Sequence, residues 1–162
     1  MGSSSSIGTF ESQNHCSLDM ADKTLFEMIV CAEIPSHEVA RGDGWYAFLD
    51  INPRRPGHTL VVPNRGVQNL AMLEQSEAHE LMNGIVEVQR KLSVVFGTTD
   101  FSVVLHDGVL AGQEVPHVHF HVIPRELNDG GRTLLAMWPN TVHASDVDHD
   151  GLSALSKELM EA

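Results

Sequence analysis

The stretch His117-Val118-His119-Phe120-His121-Val122-Ile123 alternates imidazole and apolar side chains. Successive side chains of a β-strand point to opposite faces of a sheet. As a strand, the stretch would place its three histidines on one face and Val118, Phe120 and Val122 on the other. The pattern therefore predicts a strand that packs one face into the core and presents imidazoles on the other.

Three interpretations of the histidine face stay open on these residues alone. An edge strand could carry the histidines on a solvated face without a chemical role. Three imidazoles could also bind zinc and leave an open catalytic position, although same-face neighbours about 6–7 Å apart converge poorly on one ion. Finally, a neutral imidazole can attack an activated phosphorus when its other nitrogen keeps its proton on a hydrogen-bond acceptor.

The segment just before this strand contains two glycines, in the run Gly108-Val109-Leu110-Ala111-Gly112-Gln113. Glycine lets backbone N–H groups approach phosphate oxygens closely. The segment is therefore a candidate anion-binding loop beside a candidate nucleophile, with a plain turn as the alternative.

Apolar periodicity and turn residues predict the elements on either side of the histidine strand. In chain order they are a short helix at 25–30 capped by Thr24, a hairpin of strands at 45–49 and 59–62, a long helix capped by Ser76, strands at 101–105 and 118–123, and a terminal helix from Leu152. This order indicates the α+β class, with an antiparallel sheet packed by a long helix.

Length and composition favour one domain in a chain of 162 residues that is 42% hydrophobic. We expect that domain at 23–126, after a disordered leader at 1–22 and before a C-terminal tail at 127–162 that contains the short helix. No apolar run approaches the roughly 20 residues of a membrane span, so we expect a cytoplasmic protein with no membrane partner.

Net charge and cysteine content bear on the class of binding partner and on the cellular compartment. The formal net charge of −12 counts against nucleic acid as a partner, because such binding needs a diffuse basic surface. The two cysteines, Cys16 and Cys31, are too few for a disulfide framework and are consistent with a reducing compartment.

Beyond these local signals, the histidine stretch resembles the His-φ-His-φ-His-φ-φ signature of the histidine triad (HIT) superfamily, where φ is an apolar residue. Further segments resemble the family as well, and the likeness runs from about Leu25 to Arg125. They are Glu33-Ile34-Pro35-Ser36, the run from Phe48 to Pro53, the run from Pro56 to Pro63, and Ala111-Gly112-Gln113.

The resemblance implies a HIT-like domain that forms a homodimer and binds a purine mononucleotide, with His119 forming a nucleotidyl-histidine intermediate. His121 would contact the α-phosphate or the leaving group, and His117 would support the hydrogen-bond network. His58 matches a fourth active-site histidine. Asp50 falls where the family holds the ribose hydroxyls, although a turn-capping role is the alternative. Further nucleotide-binding candidates are Ile51, His106, Gly112, Gln113, Glu114 and Val115.

The chain departs from the family pattern where many relatives bind a structural zinc ion. The usual cysteine pair and histidine appear here as Thr24, Glu27 and Gly66. We therefore expect no structural zinc, and we predict neither a metal nor another cofactor for this protein.

Further departures concern the leaving group. Glu114 stands where relatives often have a small hydroxyl residue, and His106 where they have Asn or Gln. A carboxylate repels a polyphosphate and better tolerates an amine. The segments Gly130-Gly131-Arg132 and Trp138-Pro139 also resemble the tail of the histidine triad nucleotide-binding protein branch.

These features favour a hydrolase that cleaves purine nucleoside 5′-phosphoramidates, such as adenosine monophosphoramidate, and releases AMP or GMP. The alternatives are a dinucleoside polyphosphate hydrolase and a non-catalytic purine nucleotide-binding module.

Overall fold

The computed structural model describes Cys16, residues 22–130 and residues 149–161. The strands are β1 (Glu38–Arg41), β2 (Trp45–Leu49), β3 (Thr59–Pro63), β4 (Phe101–Leu105) and β5 (Phe120–Pro124). The helices are α1 (Leu25–Val30), α2 (Gln75–Phe96) and α3 (His149–Glu161), with short 3-10 turns at Leu70–Met72 and Val109–Ala111.

All strand pairs are antiparallel, and the strands form one five-stranded sheet in the order β1-β2-β3-β5-β4. The predicted α+β class with an antiparallel sheet and a long helix is confirmed. Strand β5 lies between β3 and β4, where His121 is opposite both Leu60 and Val104. The histidine strand is therefore an inner strand of this sheet, which contradicts the edge-strand interpretation.

Two apolar clusters cover the two faces of the sheet. Successive side chains of β2 belong to different clusters: Trp45 and Ala47 pack with α2, whereas Tyr46 and Phe48 pack with α1. The α2 side also contains Val61, Leu81, Ile85, Val88, Leu92, Val118 and Val122. Because the strand period is two, one apolar strand serves both layers.

Helix α1 forms as predicted and positions the site. Thr24 is its N-cap, with the side chain accepting a hydrogen bond from the backbone N–H of Glu27, whose carboxylate in turn accepts from the N–H of Thr24. This reciprocal arrangement is a capping box. The helix ends at Val30, and the sulfur of its C-cap residue Cys31 forms a disulfide with Cys16. A disulfide was not expected from only two cysteines.

Two element boundaries differ from the sequence prediction, and one strand was not predicted. Helix α2 is capped by Glu74, in a capping box with Glu77, so Ser76 lies inside the helix. Strand β1 was missed because its Glu38 and Arg41 ends leave no apolar run to detect. Strand β5 pairs only from Phe120, because the N–H of Val118 donates to Val67 rather than to a neighbouring strand.

The C-terminal part of the chain, Asn128–Ala162, forms a separate unit in which α3 confirms the predicted terminal helix. The tail motifs Gly131-Arg132 and Trp138-Pro139 lie outside the described residues, as does most of the leader. Within the described ranges, no helix is long and apolar enough to cross a membrane. The predicted domain boundaries stay predictions.

Candidate active site

The three histidines lie on one side of their segment, although only His121 belongs to β5. Val118 and Val122 are fully buried in the cluster under α2. On the other side, the rings of His117 and His119 pack against the Phe26 ring from α1 in T-shaped contacts. His117 is fully buried, His119 is buried, and His121 is partly exposed. The predicted alternation of faces is thus confirmed by packing.

The protonation of His119 follows from its partner. Its Nδ1 lies 2.7 Å from the backbone carbonyl oxygen of His117. A carbonyl oxygen can only accept, so Nδ1 carries the proton and donates it. In the neutral ring, Nε2 then keeps its lone pair. This is the tautomer that a nucleophilic imidazole requires.

His58 and His121 form a second directed pair. The backbone N–H of Arg54 donates to His58 Nδ1 at 3.1 Å, so the proton of a neutral His58 ring lies on Nε2. That Nε2 is 2.8 Å from His121 Nδ1 and donates to it. The neutral His121 ring therefore carries its own proton on Nε2, as a donor beside the rings of His119 and His106.

Burial keeps these rings neutral. It lowers the pKa of His117 to about 4, and it lowers the pKa of His121 to about 4 with help from the neighbouring histidines. Burial also lowers the pKa of His119 and of His58, although nearby Asp50 opposes the shift at both. The site therefore holds neutral imidazoles near pH 7, because each pKa lies below its ordinary value of about 6.5.

Asp50 caps the turn that it begins, and it also faces the histidines. One carboxylate oxygen accepts from the backbone N–H of Asn52 at 2.8 Å, as a turn-capping residue does. The other lies 3.6 Å from His58 Nε2. The neighbouring Ile51 side chain is 82% exposed. The structure thus brings Asp50 to the histidines, while Ile51 is open to solvent.

Asp50, His58 and His121 also form the one group in the described part of the chain whose ligand atoms could surround a metal ion, all lying within 4.8 Å of one another. The hydrogen bonds argue against that use. A metal on His58 Nε2 would displace the proton to Nδ1, which would then face the N–H donor of Arg54. Two opposed donors are unfavourable, so the arrangement favours a proton over a cation.

The loop before β5 is built differently from the phosphate cradle predicted for it. The N–H of Gly112 donates to Val109 and that of Gln113 to Gly108, so both amides close the turn itself. Gly112 takes a φ of 92° and Gly108 a φ of 100°, which glycine adopts without strain. In this structure these two amides therefore donate within the loop rather than toward His119.

The remaining candidates lie around this loop at different depths. His106 donates from Nδ1 to the carbonyl of Ala111 at 2.7 Å, which leaves Nε2 as an acceptor. Glu114 is exposed, and its charge acts on His119. Val115 packs against the cluster under α1. Gln113 is buried and donates to Gln68, and its side-chain oxygen is a buried acceptor without a protein partner among the described residues.

Sequence reasoning missed the contacts that fix the histidine tautomers. The backbone carbonyl of Pro63 and the hydroxyl of Thr24 both contact His117. The backbone N–H of Arg54 contacts His58. Backbone groups carry no residue-type signal, so no pattern could have found the contacts of Pro63 and Arg54. The sequence indicated Thr24 as a helix cap and as a position where relatives have a zinc-binding cysteine, but not as a partner of His117.

Comparison with known proteins places this geometry in context. The model of the HIT domain matches residues 31–128.

The chain belongs to the HIT family.

The adenosine 5′-monophosphoramidase HNT1 of Saccharomyces cerevisiae is 33% identical over 136 residues, which cover 84% of this chain and 80% of that protein. The asymmetrical bis(5′-nucleosyl)-tetraphosphatase of Schizosaccharomyces pombe is 43% identical over 83 residues, which cover 51% of this chain and 46% of that enzyme. The crystal structure of a HIT family member from Bacillus subtilis superposes with a TM-score of 0.75 at 27% identity, covering 86% of this chain and 96% of that one. The HIT family binds nucleotides, and many of its members are nucleotide hydrolases.

Proposed function

We propose that this HIT protein hydrolyses purine nucleoside 5′-phosphoramidates through a nucleotidyl intermediate on His119 and releases AMP or GMP. The proposal depends on one observation above all. His119 is a buried, neutral imidazole whose Nδ1–H is held by the His117 carbonyl, so that Nε2 keeps a lone pair. The name of the yeast monophosphoramidase supports the substrate class.

The proposed reaction consists of two displacements at phosphorus. His119 Nε2 forms a bond to the α-phosphorus as the bond to the leaving nitrogen breaks, and that nitrogen takes up a proton from solvent and departs as an amine. Water then displaces His119 and yields the nucleoside monophosphate. The Nε2–H of His121 stabilises charge on the phosphoryl oxygens or the leaving group, and the N–H of His58 holds His121 in the donating tautomer.

We propose that Asp50 binds the ribose hydroxyls with the carboxylate oxygen that does not cap the turn. The exposed Ile51 offers an apolar surface to the purine. His106, Gly112, Gln113, Glu114 and Val115 would border the phosphate and the leaving group.

Glu114 favours an amine as the leaving group. It is exposed, and its negative charge raises the pKa of His119 against the larger effect of burial, so the carboxylate acts on the reacting ring. A leaving polyphosphate would meet repulsion there, whereas a leaving amine that takes up a proton would not. Dinucleoside polyphosphate hydrolysis is the second candidate, and the tetraphosphatase relative favours it.

The deciding experiment gives the protein adenosine monophosphoramidate and diadenosine tetraphosphate in parallel, with AMP affinity measured beside the rates. We expect a clear preference for the phosphoramidate. Glu114→Ser should shift that preference toward the tetraphosphate, whereas Asp43→Ser, which removes an exposed charge from the β1–β2 turn, should not. Faster cleavage of the tetraphosphate by the unmodified protein would favour the second candidate. Tight AMP binding without turnover would indicate a binding module.

We also propose a homodimer in the cytoplasm, where the Cys16–Cys31 pair would be in its reduced thiol form. Helix α2 buries Leu81, Ile85 and Val88 in the core but leaves Met82 and Val86 exposed, one helical turn apart. An exposed apolar pair on a long helix suits a partner helix. Sedimentation at twice the chain mass of 17.8 kDa would support the dimer, and sedimentation at that mass across micromolar concentrations would contradict it.

A further inference from the structure

A buried carboxylate lies under the histidines, and the proposed chemistry does not use it. Glu27 is only 5% exposed. Its two oxygens accept from the backbone N–H groups of Thr24 at 2.8 Å and of Gly66 at 2.7 Å. Burial alone would raise the pKa of Glu27, but these two N–H groups and nearby His117 outweigh it and lower that pKa. Glu27 is therefore an ionised anchor between α1 and the segment after β3.

The segment after β3 is shaped around this carboxylate. A Cβ atom on Gly66 would lie 2.4 Å from Glu27 Cδ, closer than any real contact. Residue 66 must therefore lack a side chain as long as Glu27 stays in place. The pair joins helix α1 to a part of the chain 39 residues away.

Thr24 carries the connection from this anchor to the histidines. Its hydroxyl oxygen accepts from the N–H of Glu27 at 3.1 Å and lies 2.6 Å from His117 Nδ1. His117 Nε2 donates to the carbonyl of Pro63 at 2.9 Å, so Nδ1 has a free lone pair and must accept the Thr24 proton. Both ring nitrogens of the fully buried His117 are thereby satisfied.

We infer that Thr24 and Glu27 are positioning residues for the proposed nucleophile, acting through His117 on His119. Glu27 holds Thr24, Thr24 holds the His117 ring, and the backbone carbonyl of His117 holds the Nδ1–H of His119. The chain of contacts ends at the nitrogen whose proton decides whether Nε2 is free to attack. This inference rests on the proposed role of His119.

A capping role alone does not account for these contacts. A capping box needs the Thr24 side chain on the N–H of Glu27 and the Glu27 side chain on the N–H of Thr24. It needs neither the second carboxylate bond to Gly66 nor a hydroxyl bond to a histidine 93 residues away. The bond to His117 is the one that reaches the site, and the bond to Gly66 holds the Glu27 carboxylate that in turn holds Thr24.

The test compares Thr24→Val, which keeps the shape and removes the hydroxyl, with Thr24→Ser, which keeps the hydroxyl. Exposed Thr99 provides the matched control as Thr99→Val. For adenosine monophosphoramidate we expect kcat of Thr24→Val to fall at least tenfold while AMP affinity stays within twofold. Thr24→Ser should recover most of the lost turnover, and Thr99→Val should match the unmodified protein. Turnover of folded Thr24→Val within twofold of the unmodified protein would overturn the inference.

A second readout does not depend on activity. The ¹⁵N and ¹H NMR signals of a histidine ring report which nitrogen carries the proton. His119 should show a protected Nδ1–H in the unmodified protein, and that signal should weaken in Thr24→Val but not in Thr99→Val. If the unmodified protein cleaves no substrate, the proposed function fails, while this spectrum still decides the positioning role.

If Thr24→Val does not fold, Glu27→Gln tests the same positioning role. The amide has one acceptor oxygen, so one of the two N–H groups, that of Thr24 or of Gly66, would face a donor instead. We expect the same pattern, a lower kcat with AMP affinity retained and a weaker His119 Nδ1–H signal. An unchanged kcat and an unchanged spectrum in a folded Glu27→Gln protein would reject the inference.

Discussion

Three histidines of the site, His117, His119 and His58, have one nitrogen bonded to a backbone group that can only donate or only accept, and His58 fixes the fourth, His121. The carbonyl oxygen of His117 accepts a hydrogen bond from the Nδ1–H of His119, and the N–H of Arg54 donates a hydrogen bond to Nδ1 of His58. Four similar rings thereby become chemically different, because a fixed tautomer makes one nitrogen a nucleophile and another a donor. The function proposed for each residue is set by its neighbours rather than by its type.

Removing the proposed nucleophile should separate binding from turnover. His119→Ala should lower turnover by several orders of magnitude, because the ring forms the new bond, yet keep AMP affinity within roughly tenfold, or about 1.4 kcal/mol. Steady-state rates and AMP titration measure the two quantities. Near-normal turnover in a folded variant would move the assignment to His121 or to direct attack by water.

The stereochemical course gives an independent check on the covalent intermediate. Two displacements retain the configuration of a chiral α-phosphorus, whereas one displacement inverts it. Net inversion would reject the intermediate even if His119 proved essential.

Activity should not depend on a metal ion. The proton between His58 and His121 occupies the position that a cation would take, and His58 Nδ1 is already held by an N–H donor. Treatment with a chelator should therefore leave phosphoramidate turnover unchanged. Stoichiometric zinc in elemental analysis, together with loss of activity when it is removed, would contradict the prediction.

The packing of helix α2 on strand β2 depends on a glycine in the middle of the helix. Gly84 is buried, and a Cβ there would lie 2.5 Å from the indole of Trp45, which is itself 5% exposed. The helix therefore approaches β2 closely enough for the indole to cover its backbone. A helical glycine costs about 1 kcal/mol in propensity, and close packing is the compensation.

Gly84→Ala should destabilise the protein although alanine is the better helix former. The propensity gain of about 1 kcal/mol is smaller than the roughly 1–3 kcal/mol that overpacking costs in a core that cannot relax. The exposed neighbour provides the control, since Asn83→Ala gains propensity without a clash. Urea unfolding of both variants measures the difference, and a Gly84→Ala protein as stable as Asn83→Ala would show that Trp45 moves aside.

At the scale of the whole molecule, the buried histidines make folding sensitive to acid. The pKa of His117 is about 4 in the folded protein, against about 6.5 in an unfolded chain. Between these values the unfolded chain binds a proton that the folded protein does not, so stability falls as the pH drops from 6.5 toward 4. The loss is at most about 1.4 kcal/mol per pH unit for this residue, or about 3 kcal/mol in total.

We therefore expect the free energy of unfolding to decrease between about pH 7 and pH 5, above the range in which most carboxylates titrate. Urea unfolding across this range measures the slope. His117→Gln should be less stable at pH 7, because it loses the bonds to Thr24 and Pro63, and its stability should depend less on pH. A flat profile for the unmodified protein would mean that His117 is not held neutral.

Features that depend on residues near one another in the chain could be predicted from the amino-acid sequence alone. The period of two in the histidine stretch indicated which side chains share a face, and the period of α2 indicated most of its buried side, although Met82 at the same spacing is exposed. The cap at Thr24 was also readable, since capping needs only a hydroxyl residue followed by Glu27 three positions later. These patterns, with the motifs of the HIT family, were enough for the fold and for the set of candidate residues.

The contacts among those candidate residues could be seen only in the folded chain. His58 meets His121 across 63 residues, and the carboxylate of Glu27 excludes a side chain at Gly66 across 39. Nearby backbone groups also decide that strand β5 begins only at Phe120. They likewise decide that the N–H groups of Gly112 and Gln113 donate within their own loop. Hydrogen bonds to backbone atoms carry no residue signature, so the tautomers that assign the roles appear only when the sheet and α1 bring those atoms together.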